Sequence, residues 1–161
     1  MLSDVELDRF ATTLEVQAHR QLFDYWRSKV SSGRLPARKD IDPIDIPSLL
    51  PWLTLIEVDW SQGPPRFRIR LVGTGVVNRF GRDATGLWFE DAYQADVYQT
   101  QIDYYTQVAT DGVPSLTQPI PPIKEREFIK CLRLVVPLSA DGKRVDQIIS
   151  ILSFDDERLC K

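Results

Sequence analysis

Few side chains in this sequence are of a type that does covalent chemistry, and their spacing limits what each can do. There is one histidine, His19, and two cysteines, Cys131 and Cys160. One imidazole and two distant thiols cannot supply a zinc centre within one chain, nor a disulfide framework, so no metal site is expected. His19 falls in a helical stretch. It could titrate near neutrality, but the simpler reading is a solvated or partly packed helix residue. Cys131 lies in a strand-like run, where a thiol is ordinarily a small apolar group. Lys130 and Arg133 beside it keep a redox role as the minor reading. Glu90-Asp91 and Asp155-Asp156-Glu157 put carboxylates side by side, as acid–base pairs require, yet neither has a nucleophile or histidine nearby in sequence. Glu90 and Asp91 instead precede a helix, whose N-terminus favours negative charge. Gly73-Thr74-Gly75-Val76-Val77-Asn78 follows a strand as a dinucleotide loop would. Asn78 stands where the third glycine belongs, however, and no parallel βαβ pattern follows. No catalytic residue is assigned.

Two sets of side chains point to binding. Arg66, Arg68 and Arg70 alternate along one strand and could grip an anion or an acidic partner. The simpler reading is a wet strand face, salt-bridged to Glu6, Asp8, Glu15 or Asp24 of the first helix. The second set is aromatic: Phe67, Phe80, Trp88, Phe89, Tyr98, Tyr104 and Tyr105 lie in segments that would surround a space between sheet and helices. Small-molecule sites are apolar with a few polar groups. The candidate lining is therefore Phe67, Ile69, Asn78, Arg79, Phe80, Thr85, Trp88, Tyr98, Gln101 and Tyr105. The competing reading is that these rings simply fill the core.

The elements that must position these groups follow from periodicity. Leu7, Phe10, Ala11, Leu14, Ala18, Leu22, Tyr25, Trp26 and Val30 recur at steps of three and four, which predicts one helix over residues 3–30. Ser3 with Glu6 makes a capping box, and Gly33 suits a left-handed stop. Pro36, Pro43, Pro47 and Pro51 forbid a long element and allow only short turns, with Asp42-Pro43 as cap and first position. Residues 52–60 and 66–71 read as a hairpin, with Phe67, Ile69 and Leu71 on one face and the arginines on the other. Residues 75–92 read as short helices and loops. Residues 93–110 read as a longer helix with Tyr98, Ile102, Tyr105 and Val108 on its stripe. Residues 115–120, 128–138 and 145–154 read as strands, the last two joined by the Asp141-Gly142 turn. Leu132, Leu134, Val136 and Leu138 share one face opposite Ile129 and Val135, and the last strand is likewise apolar on both sides. Such a sheet needs two covers, and the first helix is the candidate for the second. On it, Phe10, Leu14, Ala18, Leu22, Tyr25 and Trp26 would meet either the chain's own sheet or a dimer partner.

The chain has 161 residues, enough for one domain with a real core. Its 43% hydrophobic and 27% charged residues are ordinary for a globular protein and argue against disorder. With 20 Lys+Arg against 23 Asp+Glu the net charge is −3, a poor balance for general nucleic-acid binding. The start of the chain lacks a secretory pattern, and no run approaches the ~18 apolar residues of a membrane span. No nucleic acid and no membrane are expected, and a cytoplasmic location is the simplest.

Two strands, a helical middle and three strands is the order of a PAS domain. More narrowly, the sequence resembles the stand-alone PAS-like proteins of alphaproteobacteria grouped as the PAS_5 family. The carrying residues are Gly33-Arg34-Leu35-Pro36-Ala37-Arg38, Asp42-Pro43, Leu49-Leu50-Pro51, Arg68-Ile69-Arg70-Leu71-Val72-Gly73-Thr74, Gly81-Arg82-Asp83-Ala84-Thr85-Gly86, Gly112-Val113-Pro114 and Val136-Pro137-Leu138-Ser139. The match spans about residues 20–155. The resemblance implies an α+β fold, a PAS-like five-stranded antiparallel sheet in the order 2-1-5-4-3 with helices on one face. It also implies a sensory or regulatory role. It supplies no ligand and no catalytic residues. Haem-holding PAS domains often use a histidine on the long helix, and residues 93–110 have none. Light-sensing relatives use a cysteine in the helical segment, and residues 81–86 have none. Haem held that way and covalent flavin attachment are not expected, and the cofactor is left unknown.

The expected organisation is an amphipathic helix over 1–33, a PAS-like domain over 34–155 and a tail over 156–161. The expected function is a non-catalytic signalling module that binds a small molecule, a partner signalling protein or both, as a homodimer. The alternatives are a small isomerase or hydrolase acting on a hydrophobic substrate in the sheet–helix cavity, and a pure scaffold with a filled core.

Overall fold

The computed structural model describes residues 3–119 and 130–154. Its centre is a five-stranded antiparallel sheet in the order β2-β1-β5-β4-β3. The strands are β1 (Leu53–Asp59), β2 (Arg66–Val72), β3 (Ser115–Thr117), β4 (Cys131–Leu138) and β5 (Gln147–Phe154). The order implied by the resemblance is the order observed. Ile120, Phe128 and Ile129, expected at strand ends, lie outside the described residues, as does the acidic run 155–157.

β4 and β5 are buried along nearly their whole length, on both faces. Alternation along the strands turns Thr54, Ile56, Ile69, Arg133, Ser150 and Leu152 to one side of the sheet. Leu53, Leu55, Leu134, Val136, Ile149 and Ile151 turn to the other. The first side is roofed by α3 (Thr74–Phe80), α4 (Phe89–Ala92) and α5 (Ala95–Asp111).

The second side is closed by the N-terminal segment of the same chain, and here the structure corrects the expectation of one long helix. There are two, α1 (Asp4–Ala11) and α2 (Gln17–Lys29). Ser3 does form the capping box with Glu6. The break falls at Thr12-Thr13, whose hydroxyls donate to the carbonyls of Arg9 (2.6 Å) and Phe10 (2.7 Å). Hydroxyls that bond back to helix carbonyls compete with the next turn, and Val16 then takes an extended conformation. The bend lets Leu7, Leu14, Leu22, Phe23 and Trp26 all enter one core. The helices are joined by Asp8–Arg27 at 2.6 Å and by the rings of Phe10 and Phe23, 5.4 Å apart. α2 lies on β4 and β5. Of the six residues offered for a covering or partner helix, Leu14, Leu22 and Trp26 are thus buried in the chain's own core, while Phe10, Ala18 and Tyr25 pack at its margin. The Trp26 indole Nε1 donates to the Pro137 carbonyl at 2.8 Å.

Three more details differ from the sequence reading. α2 ends at Val30, and Gly33 (φ 73°) instead forms the tight turn between Ser31 and Arg34. In β2 the alternation fails at Arg70. Leu71 pairs with Leu55 and Ile69 with Ile56, so Arg70 is an extra residue in a bulge. Leu71 is thereby turned away from Phe67 and Ile69 and is 54% exposed. On α5 the buried stripe is Val97, Gln101, Tyr105 and Val108, with Tyr98 and Ile102 only half-buried.

Gly73, between β2 and α3, sits so close to the 3-10 turn Pro47–Trp52 that a Cβ there would lie 2.3 Å from the Pro51 carbonyl oxygen. Asp42 caps the preceding turn through the Ile44 amide, as its sequence suggests. At the β4–β5 turn, the Asp141 carboxylate accepts from the Lys143 and Arg144 amides and the Ser139 hydroxyl, each at 2.8 Å. These bonds, the backbone ones foremost, hold its pKa down at about 2.

Two expectations follow. Trp26→Phe leaves the Pro137 carbonyl buried without its donor and should destabilise the protein by about 1–3 kcal/mol in urea denaturation. An unchanged midpoint would show that the indole does not fasten α2 to the sheet. Asp141 has a folded pKa below its unfolded value, so its contribution is complete above about pH 4 and is lost as pH falls towards its folded pKa of about 2. Asp141→Asn should flatten the acid limb of a fluorescence-monitored stability profile over that interval, and coincident limbs would contradict this.

Candidate functional site

On the α3–α5 side the layers do not meet completely. They leave a cavity of about 80 Å³ floored by Thr54, Ile56, Ile69, Val72, Arg133, Ser150 and Leu152. Its walls are Val76 and Phe80 of α3, Arg82 and Ala84 of the following loop, Ala92, Tyr93, Tyr105 and Pro119. That space is several times what one water needs and small beside the ~300–1,000 Å³ of drug-sized sites. It suits a ligand of a few heavy atoms.

The unusual member of this lining is Arg133. It stands on the β4 face shared by Cys131 and Val135, in the middle of the sheet, and is 5% exposed. Its Nη1 donates to the Gln101 side-chain oxygen at 2.9 Å. Its guanidinium lies over the rings of Tyr104 (4.6 Å) and Tyr105 (4.9 Å). Its Nε has no hydrogen-bond partner, and among the described residues no carboxylate pairs with it. Against the desolvation that burial imposes, the tyrosine oxygens and Cys131 around it keep it protonated. The same burial pushes the Tyr93 phenol well above its ordinary pKa, and Arg133 offsets only part of that. A buried ion surrounded by neutral oxygens and ring faces, with no carboxylate among the described residues, is incompletely compensated, since an unpaired charge in the interior costs several kcal/mol.

Of the ten residues proposed from sequence, the structure brings Ile69, Phe80 and Tyr105 to the cavity wall. Gln101 is buried just behind, holding Arg133. Phe67 is core, packed on Phe89 (5.3 Å) and Tyr105 (5.7 Å). Asn78 and Thr85 are exposed, and Tyr98 is half-buried beside the core. Arg79 lies over the Phe154 ring at 5.0 Å. Trp88 stacks outside the cavity under Arg66 (4.2 Å) and Arg68 (5.9 Å).

Arg66 pairs with Glu90 of α4 at 2.7 Å and the Arg68 Nε donates to the Gly86 carbonyl at 3.2 Å, so these two arginines are held by α4 and the loop before it and not by the N-terminal helices as expected. That pairing also removes Glu90 from any acid–base role, and its pKa is lowered despite partial burial because Arg66 faces it. His19 is 1% exposed, fully inside where a partly solvated residue was expected, because α2 turns it inward beside Leu22 and Phe23. Cys131 is buried with Val76, Phe80, Leu152 and Phe154. Among the described residues no cluster could hold a metal ion, and no helix is long and apolar enough to cross a membrane.

The sequence reading missed Arg133, Tyr93 and Ser150. The signal for Arg133 was present: a lone arginine on the same strand face as Val135, in a strand already read as buried on both sides.

The family model PAS_5, a PAS domain, matches residues 14–153. Similar solved structures include the PAS domain of Bordetella pertussis BvgS, at 12% identity, covering 68% of this chain and 83% of that one, with a TM-score of 0.48. Another is the N-terminal domain of a diguanylate cyclase with PAS/PAC sensor from Marinobacter aquaeolei, at 10% identity, 66% and 98% coverage and a TM-score of 0.48. A third is a domain of the putative light and redox sensing histidine kinase from Haloarcula marismortui, at 11% identity, 64% and 89% coverage and a TM-score of 0.46. No curated protein matches the sequence.

Replacing Gln101 by Leu should remove the neutral acceptor on the buried guanidinium and cost about 1.5–3 kcal/mol in chemical denaturation. Gln101→Glu, which supplies a counter-charge at the same place, should cost less than Gln101→Leu. The reverse order would mean that Arg133 is already neutralised.

Proposed function

The chain belongs to the PAS_5 family of PAS domains, and on that premise we propose that it is a non-catalytic sensory module. It takes a small molecule between the sheet and α3–α5 and answers through contact with a partner protein in the cytoplasm, a second copy or another signalling protein. Residues 34–155 are the receiving unit and residues 1–33 the responding one.

The observation that carries this reading is the cavity, with an incompletely compensated guanidinium in its floor. The remaining lining supports it. Among the described residues it has no carboxylate and no histidine, the groups that the isomerase or hydrolase alternative needs.

The route of the answer is the sheet itself. Arg133 faces the cavity while its neighbour Leu134 faces the N-terminal helices, and Pro137 of the same strand holds Trp26. A ligand that prefers one setting of β4 over another shifts the docking of α2 by that difference in affinity.

Val76→Phe should fill the cavity and leave the fold intact, as judged by circular dichroism, with cavity filling worth up to about +2 kcal/mol. Screening short-chain acids, alcohols and amines by thermal shift should then raise the melting temperature of the parent and not of the variant. Hydrogen exchange in the parent should show ligand-dependent protection reaching α2. Equal shifts in both proteins, or protection confined to α3–α5, would overturn the reading.

A further inference from the structure

The chemistry of the ligand follows from what the cavity offers and what it leaves unmatched. A guanidinium carries five N–H donors in a planar fork. In Arg133, Nη1 is engaged by Gln101 and the faces of the group are covered by Tyr104 and Tyr105. On the edge it shares with Nη2, Nε is buried without a hydrogen-bond partner, and among the described residues no carboxylate pairs with the group. Two parallel donors on one edge are the geometry that a carboxylate accepts in bidentate fashion. A neutral ligand could accept from one donor but would not neutralise the charge, and hydrogen bonds to an ionised acceptor are the stronger ones.

Much of the remaining lining is apolar, with Ile56, Ile69, Val72, Val76 and Leu152 beside Thr54, Ser150 and Arg82, whose guanidinium donates to the Ala92 and Asp91 carbonyls. An inorganic anion would leave these walls bare, whereas a hydrocarbon tail would cover them. The volume of about 80 Å³ admits only a short tail.

We propose that the cavity is a receptor for a short-chain monocarboxylate, its head group on the Nε–Nη2 edge of Arg133 and its tail against Ile56, Ile69, Val72 and Leu152. This rests on the reading of the cavity as the ligand-receiving site, and names what it receives. Gln101 acts as a positioning residue, fixing which guanidinium edge is presented.

The test is isothermal titration calorimetry of the full chain, at fixed ionic strength, with acetate, propionate, butyrate and hexanoate, the matching primary alcohols and inorganic phosphate. The expected result is binding of the acids, tightening by about fourfold per added methylene until the tail outgrows the cavity and affinity drops. The alcohols should bind at least about tenfold more weakly than the acids, as should Arg133→Gln with the preferred acid. Arg133→Lys, which keeps the charge without the fork, should fall between. Should Arg133→Gln fail to fold, Leu152→Phe keeps the head-group site and shortens the tail space, so the preferred acid should become a shorter one.

Alcohols binding as tightly as acids would overturn the carboxylate assignment while leaving the cavity a receptor. Phosphate binding in preference to the acids would overturn the tail. An unchanged preference in Leu152→Phe would move the site elsewhere. Silence from every probe would overturn both this inference and the function it rests on.

Discussion

A sheet that is apolar on both faces must be covered on both, and much of this structure is the way one chain meets that demand. β4 and β5 have almost no exposed residue, so water has to be kept from two surfaces by two sets of helices. At ~25 cal/mol per Å² of apolar area, leaving either face open would forfeit a large part of the driving force for folding. The segment α3–α5 supplies one cover because it lies between β2 and β3 in the chain. The other has to come from outside that order, and α1 and α2 provide it. The Trp26–Pro137 hydrogen bond then sets how α2 is seated, since a buried indole N–H requires a partner.

The two covers do not fit equally well. On the N-terminal side aliphatic and aromatic groups interlock with β4 and β5. On the other side a charged side chain occupies the middle of the floor, and the roof cannot close on it as it would on leucine. The cavity and the buried guanidinium are therefore one feature. Tyr93, Tyr104 and Tyr105 gather around it because ring faces and phenolic oxygens are the mildest company a buried cation can have short of a carboxylate. Such an arrangement is less stable than an apolar one of the same shape.

How much of this was legible in the sequence depended on the range of the interaction. The capping box at Ser3 and Glu6, the Asp42 cap and the Asp141-Gly142 turn are local, and each was read from a few neighbouring residues and is observed. The strand order followed from the resemblance and is likewise observed. The helix break at Thr12-Thr13 was hidden because the apolar stripe continues through it; only the competing hydroxyl bonds reveal that the chain bends there. The bulge at Arg70 was hidden because alternation in one strand says nothing of its register with the next. Arg133 was overlooked for a related reason: an arginine in a strand ordinarily marks a wet face, and only the burial of both faces of β4 makes it anomalous. The aromatic residues chosen instead, such as Phe67 and Trp88, have the right chemistry for a pocket, but sequence spacing does not say which side of a ring meets a void.

The bulge at Arg70 has an outcome for how the molecule behaves in a crowd. β2 is a border of the sheet, and part of its outer edge is already taken up by the same chain: the Ile69 amide donates to the Leu87 carbonyl and the Ile69 carbonyl accepts from the Gly86 amide. The extra residue kinks that border, and the long cationic side chains of Arg66, Arg68 and Arg70 stand along it. An approaching ribbon would meet a bent rim fringed with positive charge, an unsuitable template for fibril growth. A domain whose interior strands are so greasy thus carries its own safeguard against stacking into amyloid.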